Sequence, residues 1–209
     1  MEDILDLYER PLEPEEVKVC VDERPYQLLA EIQPGLPIAP GHPAREDYTY
    51  KRKGTCNLFV VLAPEKGWRE VVVTERRTKE DWGHLLVWLA DEVFPDVRKI
   101  HMVCDNLNTH TLGALYLILP PEEARKRAKR FCLHPTPKHA SWLNMAEIEI
   151  SALERQCLDR RIGDIETLRR EVAAWVKLRN EVRVTVHWQF TSRDARQKLA
   201  RSYPKIKNG

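Results

Sequence analysis

Val103-Cys104-Asp105-Asn106-Leu107-Asn108-Thr109-His110 is an apolar run that stops on an aspartate and opens into turn-forming residues. With Ile100 and Met102 before it, the run is short, apolar and bounded, the pattern of a buried sheet strand. Val17-Lys18-Val19-Cys20-Val21-Asp22-Glu23 repeats the pattern upstream, again leading to an aspartate. Downstream, Pro135-Thr136-Pro137-Lys138-His139-Ala140-Ser141-Trp142-Leu143-Asn144-Met145-Ala146-Glu147 is a proline-containing loop that brings a glutamate to the start of a helical stretch. Ligands of open α/β sheets gather at the carboxyl ends of central strands, so neighbouring strands would bring Asp22 and Asp105 together there. Two aspartates and a glutamate supply hard carboxylate oxygens. Such oxygens hold Mg²⁺, and a pair of ions flanks an in-line displacement at phosphorus.

The rest of the chain supplies a sheet and its covering helices. Residues 1–16 read as a short acidic helical lead-in, and Tyr26–Glu31 as a hairpin partner of the first strand. Residues 33–47 are rich in proline and glycine and read as a surface loop. Thr55–Leu62 and Trp68–Thr74 have the look of an antiparallel pair. A helix is expected over Thr78–Val93, opened by the cap-like Thr78-x-x-Asp81 and periodic at Trp82, Leu85, Leu86 and Leu89. Next come a strand at Ile100–Cys104, a polar helix at Glu122–Arg130 and a short strand at Phe131–Leu133. A helix then runs from Asn144 to about Asp159. Ile165, Leu168, Val172, Val176 and Arg179 mark another, opened by Asp164, and Phe190–Ser202 reads as a last short basic helix. Strands first and then helix–strand alternation suit a mixed sheet flanked by helices. The expected division is a lead-in over 1–16, a catalytic core over 17–163 and a helical part over 164–209 packed on it.

Size and composition exclude several classes. A chain of 209 residues, 43% hydrophobic and 32% charged, is globular rather than disordered. No run approaches the ~18 apolar residues of a membrane span, and the acidic start is unlike a signal peptide. Cys20, Cys56, Cys104, Cys132 and Cys157 are odd in number and dispersed, with no CxxC pair. Buried reduced thiols are expected, not disulfides or zinc ligands, and with them a cytoplasmic location. The seven histidines form no metal-ligand spacing with a cysteine. No P-loop, GxGxxG, HExxH or GxSxG motif occurs. The net charge of +2 hides an asymmetry: residues 1–119 carry 14 Lys/Arg against 21 Asp/Glu, and residues 120–209 carry 20 against 11. A basic half points to a polyanion partner, although solvated helix faces give the same count.

Each acid also has a purely structural reading. Aspartate is a common turn residue after a strand. Asn144-x-x-Glu147 has the spacing of a capping box, in which Glu147 would satisfy a backbone amide. Glu149 competes as third acid, but two residues of helix rotate a side chain by about 200°, so only one of the pair can face the metals. Asn106 and His110 follow Asp105 closely enough to orient a nucleophile or touch a phosphate, or else to shape the turn. Lys138 and His139 sit in the loop before Glu147, where a cation would meet DNA phosphates. Trp142 could stack on a base or anchor the loop. The cluster Arg125-Lys126-Arg127 with Lys129-Arg130 could track a backbone or simply face water.

The segments around Asp22, Asp105 and Glu147 resemble the catalytic domain of IS630-type transposases, bacterial relatives of the Tc1/mariner elements. The resemblance runs over nearly the whole chain and includes Gln156-Cys157-Leu158-Asp159-Arg160-Arg161-Ile162. It implies a ribonuclease-H-like α/β fold and a DDE triad of Asp22, Asp105 and Glu147 holding two Mg²⁺ or Mn²⁺ ions, with Asp22 shared between them. It also implies cleavage and strand transfer of DNA phosphodiesters without a covalent protein–DNA intermediate. Glu147 falls where the relatives place their third acid. The 41 residues between Asp105 and Glu147 exceed the Tc1/mariner spacing, and an insertion around Pro120–Arg130 accounts for that. Family members carry an N-terminal helix-turn-helix region, whereas sixteen residues precede the first catalytic strand here. The expectation is therefore a catalytic fragment or half of a split transposase. Its expected partners are DNA at element ends and target, a separate helix-turn-helix chain, and a second copy in a homodimer. The rivals are a ribonuclease-H-like nuclease without strand transfer and an inactive DNA-binding remnant.

Overall fold

The computed structural model describes residues 1–33, 39–42 and 49–203. Its strands are β1 Glu16–Glu31, β2 Tyr50–Ala63, β3 Trp68–Thr74, β4 Lys99–Cys104 and β5 Phe131–Pro135. They form one sheet in the order β3-β2-β1-β4-β5. The β1–β2 and β2–β3 pairs are antiparallel, and β1–β4 and β4–β5 are parallel. The sheet is thus mixed, with β1 at its centre, and the strands leading to Asp22 and Asp105 are neighbours. Such central strands need apolar side chains on both faces, which is why Val17–Val21 and Ile100–Cys104 are nearly continuous apolar runs.

Alternation along the strands sends these side chains to different cores. Val17, Val19 and Val21 of β1, Phe59 and Val61 of β2, and Ile100 and Met102 of β4 meet helices α2 (Lys79–Trp88), α3 (Leu115–Ile118) and α4 (Pro121–Ala128). On the other face, Leu58 and Val60 of β2 and Val71 of β3 meet α5 (Ala146–Leu153) and α6 (Ile165–Val182). Cys20, Leu62 and Val103 meet α1 (Glu2–Glu9), the Leu143–Ala146 segment and Ala195 of α7 (Ser192–Lys198). The α2 helix opens with the expected capping box between Thr78 and Asp81 and ends in a π-turn over Leu89–Val93. Asp164 caps α6, accepting from the Thr167 amide at 2.8 Å. Among the described residues no helix is long and apolar enough to cross a membrane.

Several expectations need correction. Tyr26–Glu31 is not a hairpin partner of the first strand, and that strand does not end at Asp22. Both belong to β1, which stays paired with β2 from Cys20 to Glu31 but with β4 only from Glu16 to Cys20. Past Cys20 the strand has no ladder partner on its β4 side, which explains why Pro25 is accommodated there. The helix expected from Asn144 begins at Ala146, after a 3-10 turn at Ser141–Leu143. The last helix is α7 plus a 3-10 turn at Ala200–Ser202. Of the expected 33–47 loop, only Gln33 and Ala39–His42 fall within the described residues, and Ala39 and His42 exchange backbone hydrogen bonds. Between β2 and β3 the chain turns through Gly67 at φ 61°, where an added Cβ would lie 2.7 Å from the Arg183 carbonyl oxygen.

Candidate active site

Asp22 lies where β1 parts from β4. Its Oδ1 accepts from the Glu23 amide at 2.8 Å, and its Oδ2 accepts from Asn144 Nδ2 at 3.3 Å. Asn144 is 1% exposed and also donates to the Val21 carbonyl at 2.8 Å, while its Oδ1 accepts from the Ala146 amide at 3.2 Å. One buried amide therefore ties the Asp22 turn of the sheet to the first turn of α5. The alternative reading of Asn144-x-x-Glu147 as a capping box does not hold: the N-cap residue of α5 is Met145, without a side-chain cap, and Asn144 bonds the Ala146 amide and the sheet rather than Glu147. Burial pushes the Asp22 carboxyl up to about 6, and the negative charges of Glu147 and Asp105 add to the rise against the Glu23 amide and His110. Asp105 and Glu147 are thus both within electrostatic reach of Asp22. The three acids stand wider apart than the tightest ligand-type trio among the described residues, which lies elsewhere in the fold.

Asp105 follows β4 directly, half-buried, with Oδ1 accepting weakly from the Leu107 amide at 3.4 Å. His110 folds back beneath it. Its Nδ1 forms a close ion pair with Asp105 Oδ1, and its Nε2 lies 2.8 Å from Glu23 Oε1. The ring stacks on Trp82 of α2 with centroids 4.0 Å apart. Burial opposes charging the imidazole, but hydrogen bonds and charges from Asp105 and Glu23 outweigh it and raise the pKa to about 9. An imidazolium thus joins the end of β4 to the middle of β1. The expectation that His110 could touch a scissile phosphate does not suit a side chain with no exposed surface; its ring faces inward. Glu23 escaped the sequence reading. Alternation turns it away from Asp22 towards α2, and no spacing announces its pairing with His110.

Glu147 is in the first turn of α5 and partly exposed, with its carboxylate outside any hydrogen bond. Glu149 is the opposite case. It is fully buried, with Oε1 3.3 Å from Arg69 Nη2 and 2.8 Å from Arg179 Nη2, and Oε2 accepts from Arg179 Nε at 3.0 Å. Arg69 also donates to the Gly67 and Arg179 carbonyls, both at 2.9 Å. Its pKa is lowered by burial, partly offset by Glu149. Glu149 is therefore committed to two guanidinium groups on the far side of α5.

The expected DNA-contacting residues divide. Asn106, next to Asp105, and Lys138 and His139, in the loop after β5, are exposed, and His139 holds that loop in a left-handed turn at φ 64°. Trp142 is 44% exposed and stacks on Trp188, so it is both anchored and accessible. Arg130 is not a surface cation. It donates to the Ala90, Phe94 and Val97 carbonyls and clamps the end of α2 to β5.

The comparisons bear on the fold and the family. The solved structures similar to this chain include the Mos1 mariner paired-end complex with Mn, at a TM-score of 0.57 and 17% identity over 88% of this chain and 54% of that one. The Mos1 strand transfer complex gives a TM-score of 0.58 and 17% identity, over 88% of this chain and 53% of that one. The mariner Mos1 paired-end complex with Mg gives 0.55 and 17%, over 90% and 61%. The chain spans little more than half of those structures, and the likeness establishes the ribonuclease-H-like fold. No curated protein matches it in sequence. The family model described as "DDE superfamily endonuclease" matches residues 17–169, and the chain belongs to that family.

Proposed function

We propose that this chain is the catalytic domain of an IS630-type transposase, cutting and joining DNA phosphodiesters with two divalent ions held by Asp22, Asp105 and Glu147. The carrying observation is the convergence of the elements: Asp22 lies just past the point where β1 leaves β4, Asp105 directly follows β4, and Asn144 ties Asp22 to the first turn of α5, which carries Glu147. The donor set fits hard divalent cations, because it consists of carboxylate oxygens and includes no nitrogen or sulfur ligand. The Mos1 complexes, two of them named with Mn and with Mg, add support for such ions and for a DNA substrate.

Asp22, Asp105 and Glu147 would hold the ions, whose chemistry would be to activate a water or a free 3′-hydroxyl and to stabilise the leaving oxygen. The protein positions the acids. Asn144 holds Asp22 against α5, and His110 holds Asp105 against Glu23, so two of the three carboxylates are oriented before any ion arrives. Pre-set ligands lower the reorganisation needed when the metal and phosphate enter. Lys138 and His139 present polar side chains at the rim for phosphate contact.

The test is Mg²⁺-dependent nicking of plasmid DNA and joining of pre-cut 3′-hydroxyl ends by wild type and Asp105→Asn. Both activities should vanish in the variant while its circular dichroism and DNA affinity persist. Full nicking by Asp105→Asn would overturn the triad. Nicking without joining by wild type would favour the hydrolytic nuclease, the activity that the family description itself names.

A further inference from the structure

His101, Cys132 and His134 are absent from the acidic site, yet their ligand atoms lie within 4.8 Å of one another, and no other trio of His, Cys, Asp or Glu among the described residues does so. Parallel pairing creates the cluster. His101 of β4 sits opposite Cys132 of β5, and His134 is two residues on, so all three side chains share one face at the sheet edge. The inner nitrogens, His101 Nδ1 and His134 Nε2, are 3.2 Å apart. Zinc–nitrogen bonds of about 2.0–2.1 Å at a tetrahedral angle place two ligand nitrogens ~3.3 Å apart. Each outer nitrogen faces a carboxylate: His134 Nδ1 lies 2.7 Å from Asp3 Oδ2, and His101 Nε2 lies 3.5 Å from Glu16 Oε2. A carboxylate on the far nitrogen is the arrangement that fixes the tautomer of a metal-binding histidine. Glu16 Oε2 is buried and makes no hydrogen bond, although Arg10 and His101 flank it.

We propose that His101, Cys132 and His134 form a site for one borderline-soft divalent ion of the zinc type, separate from the acidic centre and fastening α1 to the open edge of the sheet. Without the ion, Arg10 Nη2 donates to His101 Nε2 at 3.1 Å, and His101 Nδ1–H donates to His134 Nε2. With the ion, that proton moves to His101 Nε2 and is donated to Glu16 Oε2, and Arg10 swings into solvent. Cys132 binds as thiolate and releases its proton to water. Sulfur and imidazole select against Mg²⁺, so this site and the carboxylates do not compete for the same ion.

Chelator-treated protein is titrated with Co²⁺ and followed by absorption. Visible d–d bands and a near-ultraviolet thiolate-to-cobalt band should saturate at one ion per chain, yield to Zn²⁺, resist excess Mg²⁺ and persist in Asp105→Asn. Cys132→Ser, a conservative change at a partly exposed position, should remove the thiolate band while the protein melts as before. Asp3→Asn should weaken binding by about ten- to a hundred-fold, as loss of a supporting carboxylate does. A folded wild type with no thiolate band, or a band that survives Cys132→Ser, would overturn the site.

Discussion

Glu147 and Glu149 are separated by one residue of α5, and the helix turns them to opposite sides. Glu149 pairs with two guanidinium groups, one of them Arg69 with no exposed side-chain surface. Removing one member of a buried ionic cluster leaves uncompensated charge and costs about 3–5 kcal/mol. Glu149→Gln should therefore lose stability on that scale in urea denaturation. Glu147→Gln, partly exposed and outside any hydrogen bond, should stay within about 0.5 kcal/mol of wild type. Reversed stabilities would exchange the roles of the two glutamates. His110→Ala removes a buried cation from between Glu23 and Asp105 and uncovers Trp82. It should destabilise by about 3 kcal/mol or more for the same reason and lower the cleavage rate. An equally stable, fully active His110→Ala protein would show that the ion pairs with Asp105 and Glu23 are ornamental.

At the level of elements, Thr78→Ala deletes the N-cap of α2 and should cost about 1 kcal/mol. Its effect on nicking at saturating Mg²⁺ should be negligible, because the cap bonds are all made to Asp81. Gly67→Ala should cost more, since it forces a side chain into a left-handed turn and against the Arg183 backbone. A calorimetric melt that leaves Gly67→Ala above Thr78→Ala would contradict that order. Such local features explain which elements were legible. Trp68–Thr74 and the Thr78 cap carry their own signals in neighbouring residues, so the sequence reading matches the structure there. The continuity of β1 was hidden because Asp22, Glu23 and Arg24 interrupt the apolar pattern while β2 continues to pair with them. Asp105 and Glu147 were legible as a strand end and a helix start, whereas Asp22 lies inside β1. The residues that orient them were not, because Asn144 and Glu23 act through partners more than 80 residues away. The His101–Cys132–His134 cluster was hidden for the same reason: strand pairing assembles it, and no spacing in the sequence does.

For the whole molecule, the relevant quantity is the excess of cations in residues 120–209, 20 Lys/Arg against 11 Asp/Glu. Some of these charges are spent internally, as Arg130 and Arg179 are, while Arg125, Lys126, Lys129 and Lys138 remain exposed. Phosphate contacts release counterions, so about six of them weaken binding roughly a thousandfold between 50 and 200 mM salt. Binding of non-specific duplex DNA, followed by fluorescence anisotropy, should show a steep slope of that kind. Lys138→Ala should reduce the slope by about one. A salt-independent affinity would remove the backbone-tracking role of this half.

The most direct test of the acidic centre is calorimetric titration with Mn²⁺, which the nitrogen and sulfur cluster at the sheet edge binds least among the first-row divalent ions. Wild type, Asp22→Asn, Asp105→Asn, Glu147→Gln and Glu149→Gln are compared at a temperature where each is folded. The expected result is strong loss of Mn²⁺ heat in the first three variants and wild-type binding in Glu149→Gln. Undiminished binding in Asp22→Asn and Asp105→Asn, or loss confined to Glu149→Gln, would contradict the assignment of the metal site to Asp22, Asp105 and Glu147.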